Sequence, residues 1–345
     1  MDTGNEITGR VGNGLQYLPK NRHLWNYVED REYQTNRGKA KAMDEHTLPP
    51  LERLTKDLRD AAATLSDREA RFLVDAYYIM QEDRKRSGNQ IKAMDKSGEP
   101  HALLTWFFRQ NNMLENQLRF ALDRYSETKP IGRWMKSLYA VGPVIAAGVM
   151  AHIDINDAET TGQIWRYGGM DPTSKWEKGE KRPWNAELKT LFFKIGATFI
   201  FFSKREDKDG NRLCFYGPLF QERKTYEVER NERGYNRERA LNEFLPRFSP
   251  KTESYGYYKK GLFPPAHVNA MARRWVAKLF ISHVHDVWRE MEGLPVPRPY
   301  ILTKDHGHAH EVRPPNWPWR DPGPRWRTQA EINALENPPE DNPPE

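Results

Sequence analysis

"LYAVGPVIAAGVMAHIDI", residues 138–155, decides how this chain is read. The stretch is apolar enough for a membrane or a core, yet Gly142-Pro143 interrupts it and Asp154 ends it. Proline has no N–H to lose and its φ is preset, so it belongs at the first position of a helix. The layout therefore predicts a helix over "IGRWMKSLYA" (131–140), a turn at Ala140-Val141-Gly142 and a second helix opening at Pro143. That is the grammar of a helix-hairpin-helix. Ala146, Ala147 and Gly148 are small enough to let the first helix pack close. N–H groups in such a turn and at a helix start carry partial positive charge and attract phosphate. Val141, Gly142, Pro143 and Val144 are thus candidate contacts to a DNA backbone. A left-handed turn residue costs more as Ala140 than as glycine. The same residues also suit an ordinary buried α-hairpin.

The composition around this stretch sets the class. The chain has 345 residues, 37% hydrophobic and 30% charged, with mean hydropathy −0.90. It can bury a core, but so polar a composition favours a mainly α-helical bundle over a compact sheet protein. Net charge is +6 although the end, "NALENPPEDNPPE", is acidic, so the remainder is more basic than the total. A polyanion partner follows, DNA first and structured RNA as the alternative. The single cysteine, Cys214, allows no intramolecular disulfide and no thiolate zinc cluster, which suits a cytoplasmic protein. The opening residues lack a signal-peptide core, and the apolar runs 138–151 and 191–202 are too short to span a bilayer, so no membrane partner is expected.

Four segments are expected. Residues 1–58 read as a loose arm and 59–128 as an antiparallel α-hairpin. In its first helix Ser66 and Glu69 form a capping box ahead of Phe72, Leu73, Ala76, Tyr77 and Met80. The second helix, after Gly98-Glu99-Pro100, carries Leu103, Trp106, Phe107, Met113, Leu114, Leu118 and Leu122. Residues 129–292 read as the DNA-binding domain. Its last helix, 266–292, has an apolar stripe from Val268 to Met291 and a polar side with Arg273, Arg274, Lys278 and Arg289. The charged run 218–248 reads as a solvated helix. Residues 293–345 form a proline-rich tail, extended and disordered at its end.

The loop after "WRYGGMDP" (165–172) interleaves Lys175, Lys178, Lys181 and Arg182 with Trp176 and Trp184, and Lys189 follows in the next helix. Cations suit phosphate and tryptophans suit stacking, although each tryptophan taken singly also serves as a core anchor. His306, His308 and His310 alternate in a proline- and glycine-rich region, while His283 and His285 diverge on a helix, so no metal site is expected.

The succession Gly142-Pro143-x-x-Ala146, "WRYGGMDP", a lysine-rich loop and "NAELK" at 185–189, with the late helix "AHVNAMARRWVAKLF", resembles the C-terminal half of transposases of the insertion sequence 110/116/902 group. The resemblance covers roughly residues 60–290 and is shared by phage-encoded proteins of that kind. It implies DNA handling in transposition or recombination, with Ser174 at the position of the family's catalytic serine, although Lys175 replaces the glycine that follows it. The family's N-terminal nuclease, whose four acidic residues hold two metal ions, has no counterpart here. No cofactor is implied unless a partner nuclease subunit brings Mg²⁺. Three readings stay open: a transposase-like enzyme or subunit, a non-catalytic DNA- or structured-RNA-binding protein, and a helical protein scaffold. A homo-oligomer is compatible with each.

Overall fold

The computed structural model describes residues 53–95, 102–297, 311–319, 321 and 323. The architecture is mainly helical, and among the described residues the only extended pairing is one bridge between Glu206 and Arg212. The helices are α1 (Lys56–Ala61), α2 (Asp67–Asp95), α3 (Ala102–Ser126), α4 (Pro130–Ser137), α5 (Pro143–His152), α6 (Thr161–Tyr167), α7 (Ala186–Phe201), α8 (Tyr216–Glu232), α9 (Arg237–Arg239), α10 (Glu253–Lys259) and α11 (Pro265–Met291). Among the described residues no helix is long and apolar enough to cross a membrane.

The quoted stretch is the middle of the core. Every residue of α5 from Val144 to His152 is buried, as expected of a helix that is apolar all round. Its neighbours approach where side chains are absent. A Cβ on Gly148 would stand 2.8 Å from Leu191 of α7 and 3.4 Å from Val74 of α2, so this glycine admits α7 and α2, not α4 as the sequence suggested. The close approach of α4 comes from the other side, where a Cβ on Gly132 would meet Met150 at 2.5 Å. Ala140 does adopt the left-handed turn, at φ 78°. That conformation costs an alanine about 1–2 kcal/mol. The Val141 N–H donates to Leu138 O at 3.0 Å and is therefore already used.

α2 opens with the expected capping box: the Ser66 N–H donates to Glu69 Oε2 at 2.8 Å and Glu69 N–H to Ser66 Oγ at 3.3 Å. α2 and α3 run antiparallel, tied by Tyr125 to Asp67 (2.6 Å) at one end and Arg84 to Glu115 (2.5 Å) midway. Which faces meet is not what the apolar pattern implied. Phe72 is 72% and Leu103 62% exposed, and Phe107 and Leu114 also face outwards. Asn111 and Glu115 are buried in their place. The Arg84 guanidinium and the Gln81 amide satisfy Glu115, so a polar seam takes the position expected of the stripe.

The described residues fall in one unit, Pro50–Glu345, and one core joins Ala70, Leu122, Met150, Phe192, Phe220 and Phe280. Residues 59–128 and 129–292 thus share a core and are not separate domains. Of the expected arm, 1–52 lie outside the described residues, and Thr55 caps α1, which crosses the expected boundary at 58. The charged run 218–248 is broken at Gly234 (φ 78°) and is not one helix. A smaller core of Ala240, Tyr258, Phe263 and Val268 follows that break. α11 begins one residue before the expected start and carries the predicted stripe.

The tail segment 311–319 is docked on this core. Trp317 and Trp319 pack against it, and Trp134 Nε1 donates to Pro315 O at 3.2 Å. His283 Nε2 lies 2.7 Å from Val312 O, which only accepts, so Nε2 carries a proton; with Nδ1 unprotonated, it accepts from the Tyr216 hydroxyl at 2.9 Å. That arrangement requires a neutral imidazole. Burial pushes its pKa down to about 4, against the smaller opposing effects of Val312 O and Asp286. Because the folded pKa is below the unfolded one, stability from this site is full above about pH 6.5 and is lost as the pH falls from there towards about 4. NMR titration of the His283 ring is expected to show a midpoint near 4, with the melting temperature falling across that interval. A midpoint near 6.5 would show that the tail contact is not closed.

Candidate nucleic-acid interface

The site starts at the end of α6. Gly168, Gly169 and Met170 close the helix: Gly168 N–H donates to Ile164 O, and Met170 N–H to Trp165 O, both at 2.8 Å. Gly169 takes φ 64°, the left-handed turn that ends a helix this way. Both glycines also make room. A Cβ on Gly168 would enter the Phe192 ring at 2.0 Å, and one on Gly169 would meet Trp184 at 2.7 Å and Lys189 at 3.0 Å. The loop leaves through Asp171 and returns at Asn185, whose N–H donates to Tyr167 O at 2.8 Å. The Asn185 side chain then caps α7 by accepting from Leu188 N–H at 2.8 Å. Lys189, one turn into α7, lies 3.9 Å from the centre of the Trp184 ring.

α11 crosses α7 at Gly196, where a Cβ would stand 2.6 Å from Arg273 Cγ. Arg273 lies flat on Phe193 at 3.8 Å, and Lys278 over Trp165 at 4.6 Å, the latter ring donating to Lys278 O. Arg182 sits 5.3 Å from Trp176. An open pocket of about 470 Å³ lies beside them, lined by Tyr167, Lys181, Arg182, Pro183, Trp184 and Asn185.

These cations repel one another. Burial, then Arg182 and Arg274, lower the Lys189 pKa. Lys278 is lowered by burial, with Asp171 opposing and Arg274 adding to the shift. Arg273 is brought down to about 10 by burial and Arg274. Arg274 itself is lowered by burial and Arg239, with Glu227 opposing. Asp171 is held low by the Thr173 N–H and hydroxyl, and it is the one carboxylate felt by Lys278. Five cations from a loop and two helices therefore share a face whose rings and buried stems hold them together against their own repulsion.

Of the sequence candidates, Arg182, Lys189, Arg273, Arg274 and Lys278 come together. Lys175, Lys178 and Lys181 stay exposed on the loop. The hairpin turn does not join them. His152, at the end of α5, lies 3.5 Å from Glu187 at the start of α7, and Tyr139 packs on Phe202 just past its end. The turn thus lies at the end of α7, about 20 Å along the helix from Lys189 at 1.5 Å per residue, and nearer to Arg273, which crosses α7 at Gly196. The Val141 and Val144 side chains are buried, whereas Gly142 and Pro143 are half-exposed and a Cβ on Gly142 meets nothing within 4 Å.

Arg289 is not on the basic face: it is buried, donating to Ile155 O, Ala158 O and Pro295 O. Ser174 lies in the turn set by Asp171, and no base is hydrogen-bonded to its hydroxyl among the described residues. His285 is buried against Ala158 O, and His306, His308 and His310 lie outside the described residues. The sequence reading missed Arg239 and the arginines of α8, because a run of mixed charge gives no sign of which cations a later turn will gather.

No family model, curated protein or solved structure matches the chain.

Gly168→Ala is expected to lower stability by about 1–3 kcal/mol in a urea titration, the cost of forcing a methyl into a filled site. An unchanged midpoint would show that Phe192 yields freely.

Proposed function

We propose that this protein binds the backbone of DNA on the face formed by the end of α6, the loop 171–185, the start of α7 and the middle of α11. One observation carries the reading: Arg182, Lys189, Arg273, Arg274 and Lys278 converge, and burial together with the neighbouring cations pushes down the pKa values of Lys189, Arg273, Arg274 and Lys278. A phosphate chain supplies the opposing charge, for which the described residues offer only Asp171 beside Lys278 and Glu227 beside Arg274. The α5 start at Gly142 is a second contact on the same polyanion, separated from the first by the length of α7. Transposition or recombination is the process that the order of motifs suggests, with any strand cleavage left to a partner that brings metal. The outward Phe72, Ile79, Leu103 and Leu114 favour an additional protein contact on α2 and α3, the scaffold reading.

Duplex binding should fall with salt. If about four or five phosphates are neutralised, log K against log salt has a slope near −4. Lys189→Gln and Lys278→Met are each expected to lower the affinity and flatten the slope by about 1 without lowering the melting temperature, since each removes a repelled cation. Binding insensitive to salt, or unchanged by both substitutions, would overturn the reading.

Gly142→Asp tests the second contact separately, because the side chain enters open space. The carboxylate suits the helix dipole but repels phosphate, so duplex affinity should drop several-fold with the fold intact. Unchanged affinity would confine the interface to the cluster.

A further inference from the structure

The cluster has a neighbour of different character on α8. Tyr226, Arg223 and Arg230 share one side of that helix, three or four residues apart. Arg223 Cζ lies 4.8 Å from the Tyr226 ring centre and 5.4 Å from that of Trp275 on α11. Arg230 Cζ lies 5.3 Å from Tyr226 and 3.6 Å from Tyr235. Tyr235 reaches this position because Gly234 takes φ 78° and Tyr235 N–H donates back to Arg230 O at 3.1 Å. Rings and guanidinium planes thus alternate along the stripe Trp275, Arg223, Tyr226, Arg230, Tyr235.

The stripe is held in place from below. Glu227, 2% exposed, takes Arg223 at 2.5 Å and Arg230 at 3.4 Å, so one carboxylate fixes two guanidinium groups and leaves the pair a net positive charge. Asn231 anchors the end of α8 by exchanging two 2.9 Å hydrogen bonds with the Phe263 backbone. Above, the rings are open: Tyr226 is 48% and Tyr235 70% exposed. Tyr235, which meets one guanidinium group, presents a flat apolar surface at small entropic cost, while Tyr226 lies between two guanidinium groups that hold it in the stripe. Arg274 joins the stripe to the cluster, because it feels Glu227 on one side and raises the repulsion on Lys189 and Lys278 on the other.

We infer that this stripe is a stacking platform for unpaired nucleotides, continuous with the phosphate-binding face, so that the protein takes DNA at a junction between duplex and single strand. The inference rests on the binding function proposed above. Every base has a π-face, so stacking of this kind tolerates sequence, and guanidinium groups between the rings serve the phosphates. The charge along the stripe suits this occupant, since Arg223, Arg230 and Arg274 share one buried carboxylate, Glu227, and Glu229 on the same helix is paired with Arg233.

The experiment compares a blunt duplex with the same duplex carrying an oligothymidylate overhang, using the full chain and fluorescence anisotropy. Tyr226→Ala with Tyr235→Ala should cost the overhang substrate about tenfold or more in affinity and leave the blunt duplex within about twofold. Tyr226→Phe with Tyr235→Phe should bind both normally, since the ring and not the hydroxyl stacks. Tyr235→Leu keeps an apolar side chain without a π-face, guards against a folding defect, and should lose the overhang preference alone. Equal losses on both substrates would make the rings mere supports for the arginines, and no loss on either would remove the stripe from the interface. Reduced self-association in sedimentation, with oligonucleotide affinity unchanged, would assign the stripe to a contact between copies and overturn the inference. A wild-type chain that binds the blunt duplex but gains nothing from the overhang defeats the platform alone, whereas one that binds neither defeats the binding function as well.

Discussion

α5 has no polar face, and the rest of the molecule is arranged around that fact. A helix whose every side chain from Val144 to His152 is buried must be enclosed on all sides, and its enclosure comes from α2, α3, α4 and α7 at once. Glycine sets how closely two of them come, at Gly148 towards α7 and α2 and at Gly132 from α4. Two consequences follow. The helix cannot be withdrawn to the surface to act as a docking element, so only its first turn is open to a ligand. Also, α7 is fixed antiparallel to it, which places Lys189 towards the other end of α7 from Gly142.

The turn that leads into α5 shows how strongly packing governs here. Ala140 accepts a left-handed backbone that glycine would take at no cost. Leu138 and Val141 on either side are both buried, so the chain must reverse within that interval. The burial of two apolar side chains, about 1.5–3 kcal/mol each, exceeds the conformational cost at one residue.

What was legible in the sequence was local. The Ser66–Glu69 box, the proline start of α5, the Gly168-Gly169 stop and the stripe of α11 are all short-range chemistry, and each appears where the residues put it. The errors concern what packs on what. On α3 the apolar side was taken for the inner one along its whole length; Leu118 and Leu122 do pack in the core, but earlier in the helix Asn111 and Glu115 are buried and Leu103 and Phe107 turn out. Periodicity reports that a helix has two faces without saying which one the neighbours cover. The proposed interface was half legible: its five cations could be named singly, but their convergence depends on the crossing of α7 and α11 at Gly196, a long-range event with no local signature. The stripe on α8 was hidden for the same reason, since Tyr235 joins it only through the reversal at Gly234.

Crowded cations are a cost to the free fold, and the proposed binding function draws on that cost. Lysines with lowered pKa values hold fewer protons folded than unfolded, so below their unfolded pKa the charged cluster works against the native state. The fold tolerates this because the charged ends of Lys189, Lys278 and Arg273 lie over the rings of Trp184, Trp165 and Phe193, where cation–π attraction offsets repulsion. A polyanion laid across the face reverses the sign of the electrostatic contribution without moving a helix. Binding and stability are therefore linked: the bound state gains by RT ln(1 + [L]/Kd) on top of the repulsion removed. The rings beneath the cations serve both states, since they hold the charges in register when the face is empty and leave the outward N–H groups free for phosphate when it is filled.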